Sequence, residues 1–244
     1  MRATKKLRAL YVQKATVLIG VVFWYNWGMK FYVITLFAEM FEPVLNGSMM
    51  FKAQKEGAAQ FELINLRDFG LGPRKQVDDT PYGGGDGMLL KPEPVFAAVE
   101  HAKHLCKGLS YKVVLLTPQG QTWNQQLAQT WAKHGDNLIL ICGHYEGFDE
   151  RIRSLADYQI SVGNYVLTGG ELPAMTVIDS IVRLLPGVLG GEQSAEIESF
   201  TDGKTLEYPQ YTRPEEFQGM KVPEVLLSGH HEKIATWRAE HKRI

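Results

Sequence analysis

Two junctions where a strand runs into glycines carry the residues of this chain best suited to holding a ligand. The β-like run Asn137-Leu138-Ile139-Leu140-Ile141-Cys142 stops at Gly143-His144-Tyr145-Glu146-Gly147. Soon after, Ala156 to Ser161 leads into Val162-Gly163-Asn164-Tyr165-Val166-Leu167-Thr168-Gly169-Gly170, and Glu171-Leu172-Pro173-Ala174 then opens an apolar helix to about Leu185. Open α/β sheets bind ligands at the carboxyl ends of their strands, and glycines leave backbone N–H and C=O groups unobstructed by a Cβ. Such loops suit a nucleotide-like ligand gripped mainly by main chain. For any single glycine a tight turn is the plainer explanation, but two clusters that also hold Tyr145, Glu146 and Tyr165 favour binding.

A third loop joins them, because the strand Lys112-Val113-Val114-Leu115-Leu116 ends in Thr117-Pro118-Gln119-Gly120. Pro81-Tyr82-Gly83-Gly84-Gly85-Asp86-Gly87-Met88 closes a long polar stretch that starts at Arg67. It lacks the strand-turn-helix setting of a dinucleotide fingerprint, yet a long glycine-rich loop in a compact domain reads as a lid or binding loop. Asp202-Gly203-Lys204-Thr205 is no P-loop, since the required earlier glycine is replaced by Glu198. Cys106 and Cys142 have no Cys-x-x-Cys spacing, and His101 and His104 no acidic partner at ligand spacing, so neither a disulfide framework nor a metal site is expected.

The elements that must position these loops alternate. A strand at Phe31–Leu36 is followed by helical spacing over Phe37–Leu45, a strand at 60–66, a helix at Pro92–Leu105, the strand from Lys112, a helix at Gln121–His134 and the strand to Cys142. This order predicts an α/β fold whose mainly parallel sheet is covered on both faces, with right-handed crossovers and its site at the carboxyl edge. A chain of 244 residues with 45% hydrophobic content accommodates a main domain, set at 29–188, and a smaller one. Periodicity fails after Pro186, so 189–213 reads as a flexible linker, and 214–244 as a short helical domain with a helix over His230–Arg243.

Residues 1–28 hold Arg2, Lys5, Lys6, Arg8 and Lys14 and no acid, which leaves 21 basic against 27 acidic residues in the remainder. Their apolar run is too short for a membrane span and no small-x-small cleavage site follows. They read as an upstream extension outside the fold, the domain beginning at Met29, and the setting as cytoplasmic without membrane attachment.

Pro118-Gln119-Gly120, Cys142 to Gly147 with Asp149-Glu150-Arg151, and Gly163 to Met175 together closely resemble the bacterial tRNA (guanine-N1)-methyltransferases of the knotted SPOUT class. The resemblance runs from Met29 to about Arg238 and takes in Val77-Asp78-Asp79, Pro186-Gly187-Val188-Leu189-Gly190, Tyr211-Thr212-Arg213-Pro214 and Val225 to Gly229. It implies that the three loops form a deep trefoil knot around S-adenosylmethionine. The residues it assigns to the cofactor are Pro118, Gly120, Gly143, Tyr145, Glu146, Val162, Gly163, Asn164, Tyr165, Val166, Leu167, Gly169, Gly170 and Pro173. It implies Glu198 as general base and Arg183 as the cation facing the charge that develops on guanine. By residue type alone these would be a solvated linker acid and a helix-surface arginine.

The resemblance further implies a tRNA substrate methylated on the guanosine 3′ of the anticodon, and a homodimer in which one subunit supplies Glu198 and its C-terminal domain to the other's cofactor. It also brings Mg2+ into consideration. The unstacked base would enter the loop Tyr82, Gly83, Gly84, Gly85, Asp86 and Gly87, with Arg213 among the phosphate contacts, so binding should be salt-sensitive. Three positions depart from the family pattern: Glu198 and Asn164 stand where aspartate is usual, and His144 where arginine is common. Members also often continue past the terminal helix, whereas this chain ends at Ile244. Two other readings compete, a knotted methyltransferase for another RNA nucleoside and a non-catalytic RNA-binding homologue.

Overall fold

The computed structural model describes residues 28–190 and 198–243. The leader, apart from Gly28, lies outside the described residues. The elements in chain order are β1 (Met29–Thr35), α1 (Glu42–Leu45), α2 (Ser48–Lys55), β2 (Ala59–Asn65), β3 (Asp78–Asp79), β4 (Leu89–Leu90), α3 (Pro92–Leu105), β5 (Tyr111–Thr122), α4 (Gln125–His134), β6 (Asn137–Cys142), β7 (Tyr158–Ser161), α5 (Glu171–Val182), β8 (Glu216–Phe217), β9 (Met220–Lys221), α6 (Glu224–Leu227) and α7 (His231–Glu240).

Five strands form one sheet in the order β2-β1-β6-β5-β7, and every neighbouring pair is parallel. Successive side chains of a strand point to opposite faces, and here both faces are dry. Phe31, Val33, Val114, Leu116, Leu138 and Leu140 pack on one side against α2, α4 and α5 through Met50, Trp131, Val177 and Ile181. Tyr32, Ile34, Val113, Leu115, Ile139 and Ile141 pack on the other side against Val95, Val99 and Ala102 of α3. All six residues of β6 are buried, which is why the central strand reads as an unbroken apolar run rather than an alternating one. Each such leucine or isoleucine contributes about 1.5–3 kcal/mol by leaving water.

The expected helix over Phe37–Leu45 is broken. Ala38–Met40 is a single 3-10 turn, and Pro43, having no N–H to donate, is accommodated only in the first turn of α1. The unread α2 follows Gly47 and buries Met50 and Ala53. Helix α4 starts at Gln125, not Gln121, because Gln121 and Thr122 pair with Ile160 and Ser161 of β7. Asn124 caps it, its side-chain oxygen accepting from the Leu127 N–H at 3.0 Å.

The end of the expected linker is held by both local and long-range hydrogen bonds. The Asp202 carboxylate accepts from Lys204 N at 2.9 Å and Thr205 N at 2.7 Å, and Leu206 exchanges backbone hydrogen bonds with Arg243. No residue of 214–243 is buried, and Phe217, Met220 and Leu227 stand exposed. Among the described residues no helix is long and apolar enough to cross a membrane.

Candidate functional site

At the carboxyl ends of β5, β6 and β7 a cleft of about 140 Å³ opens between three loops. Its shape begins with an interruption of β5. Leu116 pairs with Ile160, the chain then bows out over Thr117–Gly120, and Gln121 returns to pair with the same Ile160. The bow presents Pro118 to the cleft. It is tied down by Arg153, whose guanidinium donates to the side chains of both Gln119 and Gln159 and lies 5.0 Å over the Phe148 ring. Arg153 thereby joins the bow, the edge strand and the loop after β6.

That second loop turns at Tyr145, whose φ of 60° lies in the left-handed region, a conformation costing about 1–3 kcal/mol for a side-chain-bearing residue. The strained turn is held from the far side by the glycine-rich loop. Glu146 N–H donates to Met88 O at 3.1 Å and Leu90 N–H to Gly147 O at 3.0 Å. A Cβ on Gly87 would come within 2.4 Å of Glu146 Cγ. The loop over 82–87 therefore packs through Gly87 against Glu146 of the cleft wall, but none of its residues lines the cleft itself, and Tyr82 is fully solvent-exposed.

The third loop crosses the end of β6. Gly170 N–H donates to Gly143 O at 2.7 Å, and a Cβ at Gly170 would lie 2.7 Å from Cys142 Cα and 2.8 Å from Gly143 N. Only a residue without a side chain permits that crossing. Gly170 also caps α5, whose amino end is thus aimed at the cleft. Beneath it Glu171 is buried, with Oε1 accepting from Thr35 Oγ1 at 2.8 Å. Burial, and secondarily the nearby Glu171 carboxylate, push the Cys142 thiol well above its ordinary range. Iodoacetamide at pH 8 is accordingly expected to spare Cys142 in the native protein and modify it only after denaturation; rapid native alkylation of its peptide in a mass spectrum would contradict this burial.

Of the residues expected to hold a cofactor, Pro118, Gly143, Tyr145, Glu146, Val162, Gly163, Tyr165, Val166, Leu167, Gly169, Gly170 and Pro173 line this one cleft. Gly120 and Asn164 do not. Gly120 is required for a different reason, since a Cβ there would meet the Gln159 carbonyl and Ile160 N at 2.4–2.5 Å; it lets the bow close against β7. His144, Phe148, Ser161 and Thr168 also line the cleft and were not singled out as ligands from sequence, where no residue-type signal distinguishes them from ordinary loop positions.

Arg183 and Glu198 meet, but away from the cleft lining. Arg183 closes the end of α5 and donates to both carboxylate oxygens of Glu198 in its own chain, one contact at 2.6 Å. The pair is only partly exposed, and the carboxylate raises the guanidinium pKa above its usual value. Arg213 lies elsewhere, lining a C-terminal groove with Tyr208, Tyr211 and Arg238, where the Arg238 guanidinium sits 5.0 Å over the Tyr208 ring.

Comparison with known proteins connects this geometry to a family. Residues 29–244 match the family described as tRNA (Guanine-1)-methyltransferase TrmD. Proteins named tRNA (guanine-N(1)-)-methyltransferase are similar over 217 residues: that of Staphylococcus carnosus (strain TM300) is 54% identical, and that of Staphylococcus aureus (strain JH9) 55%. In both comparisons the alignment spans 88% of this chain and 86% of the relative. The crystal structure of tRNA (m1G37) methyltransferase from Aquifex aeolicus superposes with a TM-score of 0.72 at 39% identity, covering 88% of this chain and 89% of that one.

Proposed function

The chain belongs to the tRNA (Guanine-1)-methyltransferase family, and from that premise we propose that it methylates N1 of the guanosine at position 37 of tRNA, 3′ of the anticodon, using S-adenosylmethionine. The observation that carries the reading is the three-loop cleft floored by Gly170 against Cys142 and Gly143. Main-chain groups converge there with apolar Leu167, Val162 and Pro173 and the rings of Tyr145 and Tyr165, a lining that suits adenosine and a thioether chain. Gly169 and Gly170 pack so closely on the wall behind them that no side chain fits there, which leaves their main chain bare to the cleft they line, and the residues present fit the cofactor. When bound, S-adenosylmethionine supplies an electrophilic methyl group on a cationic sulfonium.

The protein's own part is then proton removal, charge stabilisation and positioning. Guanine N1 carries a proton that must leave as the nitrogen becomes the nucleophile, and the Glu198 carboxylate is the acceptor in this reading. Negative charge shifts toward guanine O6 as that proton leaves, and Arg183 is the fixed cation able to meet it. The loop of Tyr82 and its glycines, bound to the cofactor loop through Glu146 and Gly147, would hold the unstacked base, while Arg213 and the C-terminal domain contact phosphates.

We place the crossing of 162–170 over β6 within a deep trefoil knot; the Gly170–Gly143 hydrogen bond supports that threading. The domain limits 29–188, 189–213 and 214–244 belong to the same reading, as does a homodimer acting in the cytoplasm. Exposed Tyr165, Val166 and Leu172 beside the cleft, and a C-terminal segment with no buried residue, support an intersubunit site in which Glu198 serves the partner's cofactor. Magnesium is different. Among the described residues no cluster of three or more His, Cys, Asp or Glu side chains could hold a metal ion; Mg2+, commonly held by one or two carboxylates together with ligand oxygens and water, stays part of the family resemblance.

The test is transfer of labelled methyl from S-adenosylmethionine to tRNA transcripts that differ only in the base 3′ of the anticodon. Label should enter the guanosine transcript and not the adenosine one. Equal labelling of both would point to another nucleoside. Cofactor binding without any labelling would point to a non-catalytic RNA-binding homologue.

A further inference from the structure

A carboxylate that the methyl-transfer chemistry leaves unused sits directly behind the cleft wall. Glu171, first residue of α5, has a side chain only 3% exposed. It is anchored through Oε1 to Thr35 Oγ1, 2.8 Å away, and Thr35 Oγ1 in turn accepts from Phe37 N–H at 3.0 Å. Its other oxygen, Oε2, lies close behind Gly169, where a Cβ would approach it to 2.3 Å. Among the described residues its one ion-pair partner within 4 Å is His144, with Nδ1 at 3.8 Å, too long for a hydrogen bond. That Nδ1 is itself buried without a hydrogen-bond partner. Unlike Glu198, which is paired with Arg183, Glu171 therefore has no permanent cation beside it among the described residues.

A buried charge near a ligand site acts at much lower effective dielectric than an exposed one. The amino end of α5 also points at the cleft, and a helix amino terminus carries partial positive charge that disfavours a cation. Glu171 sits in that first turn, where its carboxylate offsets the helix field and projects net negative potential through Gly169. Glu146 at the cleft mouth is also acidic but exposed, so water and salt screen it.

We propose that Glu171 is a charge-selectivity residue, which makes the cleft favour a cationic adenosine ligand over the neutral thioether left after its methyl group departs. This rests on the cleft being the S-adenosylmethionine site. Transfer of the methyl group breaks the S–C bond, leaves both its electrons on sulfur and so removes the sulfonium charge. The attraction of Glu171 then ends at the moment of turnover, which favours release of product over release of substrate. Glu171 touches no reacting atom in this scheme; it is a positioning residue for charge.

Calorimetry with S-adenosylmethionine and S-adenosylhomocysteine tests it on the intact protein. Glu171→Gln should weaken the cationic ligand relative to the neutral one on the order of tenfold, whereas a purely structural lesion would weaken both alike. Glu171→Asp should largely restore the ratio, and Glu146→Gln should shift it less than Glu171→Gln. Should Glu171→Gln lose its cooperative thermal melt, His144→Lys provides the second arm. It sets a permanent cation against an untouched carboxylate and should lower the same ratio. An unchanged ratio in folded Glu171→Gln, or in folded His144→Lys where Glu171→Gln does not fold, overturns the proposal. A parent protein that binds neither ligand would instead overturn the assignment of the cleft.

Discussion

Glu198→Gln is expected to slow single-turnover methyl transfer by about 10² to 10⁴, the usual consequence of removing a general base, with S-adenosylmethionine affinity nearly unchanged. Glutamine keeps the size and the hydrogen-bonding reach of the side chain but cannot take up the N1 proton. Glu198 lies outside the cleft lining of its own chain, and in the proposed intersubunit site its carboxylate meets guanine N1 and not the cofactor, so cofactor affinity should change little. Arg183→Ala should be comparably damaging through lost charge stabilisation.

The two side chains form a two-pronged ion pair in the structure, so neither single variant leaves its partner as it was. Removing Arg183 takes away the cation that fixes the Glu198 carboxylate in place, and removing the carboxylate releases the guanidinium. The double variant should therefore be little slower than the worse single variant, because groups acting in one step do not contribute additively. Glu198→Asp should retain activity, since a carboxylate remains. Methyl transfer at the parent rate by Glu198→Gln would remove the base assignment altogether.

The sheet was legible because its signal is local. Asn137–Cys142 is apolar at five of six positions, and the structure buries all six. The glycine clusters after β6 and β7 were legible as loops at one sheet edge for the same reason, and they line one cleft. What the sequence hid is tertiary. Arg153 joins Gln119, 34 residues away, to a loop and an edge strand, and nothing at position 153 announces those partners.

Glu171 reads in sequence as an ordinary first-turn acid opening a helix. Its burial is tertiary: Thr35, 136 residues distant, donates to its Oε1, and His144 and Gly169 lie beside its Oε2. The family resemblance assigns Gly120 to the cofactor; its need for a bare Cα comes from β7. The helix expected over Phe37–Leu45 is broken because Pro43, whose missing N–H permits a first turn but no interior one, can only open a new helix there.

The same geometry ranks the cleft glycines, which sequence alone treats as equivalent, and the ranking gives the second large effect. A methyl group added at Gly170 would meet Cys142 Cα and Gly143 N, backbone atoms of the central strand's end that cannot rotate aside. One added at Gly143 would meet the Phe148 ring at 3.3 Å, a side chain that can give way. Forced overpacking costs about 1–3 kcal/mol, and at Gly170 it falls on the crossing that shapes the cleft. Gly170→Ala is therefore expected to weaken S-adenosylmethionine binding by about ten- to a hundredfold or more, with loss of methyl transfer to match. Gly143→Ala should cost only a few-fold. Isothermal titration of both variants, each with a thermal melt to establish folding, decides the order. If folded Gly170→Ala bound the cofactor as tightly as the parent while Gly143→Ala did not, the floor of the site would lie at the Gly143 turn instead of at the crossing over β6.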